Sequence, residues 1–238
     1  MKKFTPVTVM SVLMAVLSMV GHAQAVTFTE SDDAGELLNT AQLIPQGTQP
    51  LESIFGTLSG DADLFQIFLT GGQTFSATTL NLDTLIGIPI DNTLGAPTDL
   101  LEDPQLFLFD SFGRGVYAND DNSFSSQSTL PSASFSPAES GIYYLAISSF
   151  GYNPISAEGK IFPDEPLDGV FAATGPGGGL PLSGFEGTST TSGRYTIALT
   201  GVQTGTQSVP EPTSALGMVA IGAWAAVSRL KNKKNITE

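Results

Sequence analysis

The sequence contains no cysteine, and its only histidine is His22, close to the N-terminus. Disulfide bonds and thiolate metal sites are therefore excluded. A Ser-His-Asp triad needs an imidazole to carry the proton, and zinc sites mostly use histidine or cysteine ligands. If the N-terminal segment that contains His22 is removed on export, the rest of the chain has neither histidine nor cysteine. Sites built from oxygen atoms, which suit hard cations such as Ca²⁺, stay open.

Basic residues are scarce in the middle of the chain. Residues 26–209 contain 21 acidic residues and 3 basic ones, Arg114, Lys160 and Arg194, for a net charge of −18. A surface of this charge should repel nucleic acid and anionic lipid, so we expect no nucleic-acid partner. This negative charge could serve to keep the protein soluble, or it could bind cations.

A secretory signal peptide is predicted over residues 1–25. Two lysines precede an apolar run over residues 9–20, and Ala23 and Ala25 form an A-x-A cleavage site. The alternative is an uncleaved N-terminal membrane anchor. The apolar run is short for a bilayer, so we expect cleavage after Ala25.

The C-terminal end carries a three-part pattern over residues 209–234. Pro210, Glu211 and Pro212 come first, an apolar stretch of at most 15 residues follows at 214–228, and a basic cluster ends the pattern. The prolines favour an extended, accessible peptide. As a helix the apolar stretch would be about 22 Å long, which spans a bilayer core only marginally. The basic end would then stay on the cytoplasmic side.

This pattern resembles the PEP-CTERM sorting signal of exopolysaccharide-producing Gram-negative bacteria. The resemblance implies that an exosortase-type membrane protease recognises Pro210, Glu211 and Pro212, which follow a linker at 204–208. The protein would be anchored through a short C-terminal helix, transiently in the inner membrane, and then reach the cell surface or extracellular matrix. The alternative is a simple anchor helix that is never processed.

Between the two ends the pattern predicts strands and no sustained helix. Apolar runs and alternating side chains indicate strands at 63–69, 73–80, 104–110, 116–118, 133–136, 142–148 and 194–200. Because Gly71 and Gly72 separate the first two, we expect these strands to pair as a hairpin. We predict an all-β fold, an antiparallel β-sandwich or jelly-roll-like domain over residues 26–203. Polar insertions at about 81–103 and 152–192 interrupt it, and the glycine-rich part of the second is expected to be mobile.

Acidic residues form three clusters along this domain, at 30–33, 61–63 and 119–122. Each cluster suits a turn or a strand end, where aspartate and asparagine are common. The alternative is a Ca²⁺ site, which takes six to eight oxygen ligands and therefore requires that two or more clusters converge. The sequence alone leaves both interpretations open.

The order of motifs resembles a bacterial pre-peptidase C-terminal (PPC) domain. The motifs are Glu-x-Asp-Asp at 30–33, Gly-Asp-x-Asp-x-Phe at 60–65, Asp-Pro at 103–104, Asn-Asp-Asp at 119–121, Gly-Ile-Tyr-Tyr at 141–144 and Gly-Arg-Tyr at 193–195. This family is a non-catalytic, jelly-roll-like β-sandwich, often attached to secreted proteases, and some members bind Ca²⁺ or a polymeric substrate. For this sequence, the resemblance implies as candidate Ca²⁺ ligands Glu30, Asp32, Asp33, Asp61 and Asp63. The family usually has asparagine at the position of Asp32, and aspartate supplies the same oxygen.

The leading functional hypothesis is a non-catalytic binding or structural module of the cell envelope or exopolysaccharide matrix, with Ca²⁺ as the candidate cofactor. Phe112, Phe124, Phe150 and Tyr152 would either stack on sugar rings or fill the core. One alternative is a secreted hydrolase of the glycosidase type, with two buried carboxyl groups about 5–10 Å apart in a deep cleft. Another is an accessory domain for a secreted protease that is a separate chain.

Overall fold

The computed structural model describes residues 26–44, 49–80, 100–164, 169–188 and 191–204. Within these ranges the regular structure consists of strands, with no α-helix and therefore no helix that could cross a membrane. The predicted signal peptide with Ala23 and Ala25, the Pro210-Glu211-Pro212 motif and the predicted C-terminal helix lie outside the described residues. The all-β prediction is confirmed for the part of the chain that is described.

The strands form two large sheets and one small one. Their bounds are β1 Val26–Thr29, β2 Gln42–Leu43, β3 Leu51–Ser59, β4 Ala62–Leu69, β5 Ser76–Thr79, β6 Pro104–Phe109, β7 Gly115–Asn119, β8 Thr129–Leu130, β9 Gly141–Ser149, β10 Tyr152–Ser156, β11 Gly159–Lys160, β12 Val170–Ala172, β13 Gly184–Gly187, β14 Ser192–Thr200 and β15 Val202–Gln203. The five-stranded sheet has the order β1-β3-β14-β5-β8. The seven-stranded sheet has the order β12-β7-β6-β9-β4-β15, with β2 beside β4, and β11-β10-β13 form the small sheet.

The sheets are mixed rather than purely antiparallel. β1 runs parallel to β3, and β2 runs parallel to β4. The other pairings between these strands are antiparallel. Both parallel partners come from the N-terminal segment, which reaches the sheets across long connections. A parallel pair needs such a connection because a tight turn can join only antiparallel strands.

The two large sheets pack face to face through a shared apolar core. Ile54 and Ile197 come from the five-stranded sheet, and Phe65, Leu106 and Leu145 come from the seven-stranded sheet. In β14 buried residues alternate with more exposed ones, as expected for a strand with one buried face. All of β6 is buried, which means that both faces of the seven-stranded sheet are covered.

A second apolar cluster covers the outer face of the seven-stranded sheet. Phe107 and Phe109 of β6 contact Phe162, with ring centroids 5.6 and 6.0 Å apart, and Phe185 lies 6.2 Å from Phe107. Phe162 and Phe185 belong to the segment predicted as a polar insertion at 152–192. This segment instead contains β10 to β13 and forms the cover of a second core.

The glycine-rich part of this segment, which was expected to be mobile, is closely packed. The amide of Gly175 donates to the carbonyl of Ile161 at 3.0 Å, and the amide of Gly177 donates to that of Lys160 at 2.9 Å. A Cβ atom at Gly178 would lie 2.0 Å from the carbonyl oxygen of Ala173. Glycine is required there because the two backbone segments touch directly.

The predicted hairpin between β4 and β5 is wrong, although both strands exist. β4 pairs with β9 in the seven-stranded sheet, while β5 pairs with β14 in the five-stranded sheet. The connection crosses from one sheet to the other, and the amide of Gly72 donates to the carbonyl of Pro137 at 2.8 Å. Residues 133–136 form a turn region instead of a strand; the nearby strand is 129–130, and the strand at 51–59 was not predicted.

Candidate metal centres

Three of the predicted ligands converge where β4 begins. Glu30 directly follows β1, Asp33 lies in the next loop, and Asp63 is the second residue of β4. One carboxylate oxygen from each lies within 4.8 Å of the other two. The loop is fixed against β4 because the amide of Leu64 donates to the carbonyl of Gly35 at 3.2 Å.

Asp63 is the buried member of this group, with no exposed surface. It lies on the inner face of β4, as do Phe65 and Ile67, because side chains alternate along a strand. Its Oδ2 accepts a hydrogen bond of 2.6 Å from the hydroxyl of Tyr195. Its Oδ1 is buried and accepts no hydrogen bond from the described residues. A buried carboxylate oxygen without a partner is costly, and coordination to a cation would satisfy it.

Crowding and burial raise the pKa values of all three carboxyl groups. Burial raises the pKa of Asp63 to about 8; the Tyr195 hydrogen bond opposes this rise, and the charges of Glu30, Asp61 and Asp33 add to it. The pKa of Glu30 is raised by burial and by its acidic neighbours, against the hydrogen bonds from two backbone amides. Burial and the charge of Asp61 also raise the pKa of Asp33. The group is therefore hard to ionise without a compensating positive charge.

Backbone contacts fix the orientation of the Glu30 carboxylate. Its Oε1 accepts a hydrogen bond from the amide of Ala34 at 3.1 Å, and its Oε2 accepts one from the amide of Thr57 at 2.8 Å. A Cβ atom at Gly56 would lie 2.2 Å from the hydroxyl oxygen of Tyr195 and 2.5 Å from Oε2 of Glu30. The absence of a side chain at Gly56 therefore lets Glu30 and Tyr195 approach β3.

The other two predicted ligands lie outside this group of three. Asp61 is half-buried, and its Oδ1 accepts a hydrogen bond of 3.2 Å from the amide of Ser59, which closes the turn between β3 and β4. Asp32 is exposed, and its backbone carbonyl accepts a hydrogen bond of 3.3 Å from the side chain of Gln42. Asp61 acts on the group through its negative charge.

A second group of three carboxylates consists of Asp103, Asp120 and Asp121, with one oxygen from each within 4.8 Å of the other two. The acidic run at 119–122 stands out in the sequence, but Asp103 was not expected to join it. Asp103 directly precedes β6, and Asp120 directly follows β7, its antiparallel neighbour. The start of one strand and the end of its antiparallel partner meet at one edge of a sheet. The strands predicted at 104–110 and 116–118, if paired in this way, would therefore have placed Asp103 near Asp120.

The four aromatic residues named as sugar contacts or core residues have different environments. Tyr152 is half-buried, stacks on Phe185 with ring centroids 5.7 Å apart, and donates a hydrogen bond of 2.7 Å to Glu36. Phe112, Phe124 and Phe150 are exposed by 67, 96 and 44%. A core position is therefore wrong for these three phenylalanines.

The chain was also compared with known proteins. No protein-family model matches it, and the comparison with curated proteins found no match. The PEP-CTERM and PPC resemblances accordingly remain predictions from the motifs themselves.

Proposed function

We propose that this protein is an exported, non-catalytic β-sandwich module whose fold is stabilised by Ca²⁺ bound to Glu30, Asp33 and Asp63. The observation that carries the proposal is Asp63, because this carboxylate is completely buried and one of its oxygens has no hydrogen-bond partner among the described residues. A divalent cation would supply both the missing partner and the missing positive charge.

The donor set suits Ca²⁺ better than a transition metal. All three side chains offer hard oxygen atoms, which Ca²⁺ and Mg²⁺ prefer, and the chain has no cysteine. Ca²⁺ accepts irregular sets of six to eight oxygens, whereas Mg²⁺ demands near-octahedral geometry. Asp33 is exposed, so water can complete the coordination. We expect an affinity in the range of extracellular modules, with Kd about 10⁻⁴ to 10⁻³ M.

The proposed location is the cell surface or extracellular matrix of a Gram-negative-type bacterium. The support is the predicted signal peptide at 1–25 and the resemblance of residues 209–234 to a PEP-CTERM sorting signal. An exosortase-type protease would act on Pro210, Glu211 and Pro212. The ordered motifs resemble those of PPC domains, which supports a jelly-roll-like sandwich that binds envelope components such as exopolysaccharide.

The surroundings of the acidic residues favour a non-catalytic role over a hydrolase. A pocket of about 300 Å³ lies beside β3 and β14, and Glu30 is the only acidic residue among the described residues that line it. A second cleft of about 60 Å³ is lined by Asp120 and Asp164, and Asp164 is bound by Lys160. Hydrolysis by a carboxylate pair needs two free carboxyl groups on opposite sides of a substrate.

Thermal unfolding of the full-length chain tests the metal site. We expect millimolar Ca²⁺ to raise the Tm at pH 8 relative to EDTA, because Ca²⁺ binds the native state preferentially. The Asp63→Asn variant should show a smaller rise. The matched control, Glu139→Gln, removes an exposed carboxylate at the opposite end of β9 and should keep it. A wild-type Tm that does not respond to Ca²⁺ would contradict the proposal.

A separate experiment tests the sorting signal. In the native host, replacement of Pro210 and Pro212 by alanine should leave the protein uncleaved in the membrane fraction, whereas the wild-type chain is released from it. Wild-type protein that stays in the membrane fraction at full length would instead favour a simple anchor.

A further inference from the structure

We propose that Asp103, Asp120 and Asp121 form a second divalent-cation site, to which Gln105 contributes a neutral oxygen. This site is separate from the group around Asp63, and neither site requires the other. The inference rests on the convergence of three carboxylates, on the buried amide oxygen of Gln105 and on the small cleft that Gln105 and Asp120 line.

The strand register brings the amide and one carboxylate side by side. Leu106 of β6 lies opposite Asn119 of β7, so Gln105 is the cross-strand neighbour of Asp120. Both face the outer side of the sheet, the side of Phe107. Asp103 lies two residues before Gln105 and completes this edge.

The strand end that carries the carboxylates is held rigidly by Asn119. Its side-chain amide donates to the carbonyl oxygens of Asp121 and Gly169, each at 2.8 Å, and its Oδ1 accepts a hydrogen bond of 2.6 Å from the amide of Thr129. These three bonds fix the backbone on which Asp120 and Asp121 lie. Ligands held in this way lose little conformational entropy when a cation binds.

Gln105 is the second, independent indication of a ligand. Its side chain is 5% exposed and lines the same cleft as Asp120. Its Nε2 donates to Asn153 at 3.4 Å, but its Oε1 is buried and accepts no hydrogen bond from the described residues. The buried Oδ1 of Asp103 also lacks such a partner. Carboxylate and amide oxygens together are typical ligands of Ca²⁺.

The size of the cleft indicates which ligand fits. About 60 Å³ has room for a cation with a few water molecules. Pockets for sugars and other small organic ligands are several times larger, about 300–1,000 Å³. We therefore favour a hydrated divalent cation over an organic ligand at this position.

The two acidic groups lie at the same end of the seven-stranded sheet but too far apart to share an ion. Asp63 pairs with Ile147, Ile147 with Leu106, and Leu106 with Asn119, which spans three strand-to-strand steps. At about 4.8 Å a step, β4 and β7 lie roughly 14 Å apart. Ca²⁺ reaches its ligands at about 2.3–2.6 Å, so one ion cannot bridge the two groups.

Calorimetric titration of the full-length chain with CaCl₂ at pH 8 tests this site. We expect two ions per chain for the wild type, one for Asp63→Asn and one for Asp103→Asn. The Asp121→Asn variant provides a second test if Asp103→Asn does not fold, as judged by circular dichroism. Glu139→Gln should bind two ions like the wild type.

The outcomes separate this proposal from the proposed function. If the wild type binds one ion and Asp63→Asn binds none, the site around Asp63 stands and this second site is overturned. If Asp103→Asn and Asp121→Asn both fold and still bind two ions, the second site is also overturned. The second site is supported if Asp63→Asn still binds one ion with wild-type affinity and Asp103→Asn no longer binds an ion with that affinity.

Discussion

Asp63 makes the stability of the metal-free protein depend on pH in a direction that is unusual for a carboxylate. Its pKa is about 8 in the folded protein and 3.8 for the ordinary side chain. Between these values the folded state binds one proton more than the unfolded state. The free energy of unfolding therefore falls as the pH rises, by about 1.4 kcal/mol for each pH unit. The stabilisation is fully present below pH 4 and is lost as the pH rises through 8.

This slope is large enough for a simple thermal assay. From pH 5 to pH 7 the Asp63 contribution amounts to about 2.7 kcal/mol, which corresponds to a Tm decrease of about 5–10 °C for a domain of this size. The raised pKa values of Glu30 and Asp33 act in the same direction. Melting curves in EDTA at pH 5, 6, 7 and 8 are thus expected to shift downward with increasing pH.

The Asp63→Asn variant isolates the contribution of this one proton. The amide has no charge at any pH, and its oxygen can still accept the hydrogen bond from Tyr195. We expect a flatter pH profile and a higher Tm than the wild type at pH 8 in EDTA, while Glu139→Gln follows the wild type. A wild-type slope that persists in Asp63→Asn would refute the assignment of the proton to Asp63.

Calcium should counteract this pH dependence. Ca²⁺ binds the deprotonated carboxylates, so protons compete with it, and the Tm increase caused by Ca²⁺ should be large at pH 8 and vanish near pH 5. A concentration of 100 times the Kd stabilises the native state by about 2.7 kcal/mol. An equal Tm increase at both pH values would mean that the bound ion does not contact Asp63.

Three further predictions concern the hydrogen bond to Asp63, the glycine-rich segment and the core, all measured as free energies of unfolding in urea. Tyr195→Phe removes the donor to Asp63 and should cost about 1.5–3 kcal/mol at pH 8 in Ca²⁺, but less at pH 5 in EDTA, where Asp63 is neutral. Gly178→Ala should cost about 1–3 kcal/mol because its Cβ would lie 2.0 Å from a carbonyl oxygen, and an unchanged urea midpoint would contradict the close packing. Phe65→Ala should cost about 3–5 kcal/mol, whereas Phe124→Ala, which truncates a side chain that is 96% exposed, should change stability by less than about 0.5 kcal/mol.

The strands with one buried face could be predicted from the sequence, whereas their pairing could not. In β14 the apolar residues Tyr195, Ile197 and Leu199 alternate with more polar ones, and this pattern alone locates the strand. The connection at Gly71 and Gly72 looks the same in sequence whether the chain turns within a sheet or crosses to another. The choice depends on contacts with residues 136–140, which are distant in sequence.

The second core was missed for a related reason. Phe162 and Phe185 are separated by 23 positions and belong to segments with no strand or helix periodicity. Their burial comes from the outer face of β6, where Phe107 and Phe109 would otherwise be exposed. The continuous apolar run at 106–109 was the available signal, because a strand that is apolar on both faces needs a cover on each.

The acidic group around Asp63 was partly predictable because its carboxylates occur in short motifs. Glu30 and Asp33 share one motif and Asp63 comes from another, and a family resemblance that contains both motifs is enough to group the three residues. Asp103 and Asp120 belong to different motifs, and only the antiparallel register of β6 and β7 makes them neighbours. Local sequence gives the residue types of such a site, whereas strand pairing decides which of them meet.

The proposed cation sites also connect the fold of this protein with its proposed export. Two groups of carboxylates lie at one end of one sheet, in a chain where residues 26–209 carry a net charge of −18. Without cations their mutual repulsion weakens this end of the sheet, since like charges in a partly buried group raise the cost of ionisation. Extracellular Ca²⁺ modules bind Ca²⁺ with a Kd of about 10⁻⁴ to 10⁻³ M, so their sites are occupied where Ca²⁺ is abundant.

We therefore expect the loops at 30–33 and 120–122 to exchange amide hydrogens faster in EDTA than in millimolar Ca²⁺ at pH 8, while the opposite end of β9 near Gly141 exchanges equally in both. Protection that changes uniformly along the chain would instead mean that Ca²⁺ only screens the overall charge.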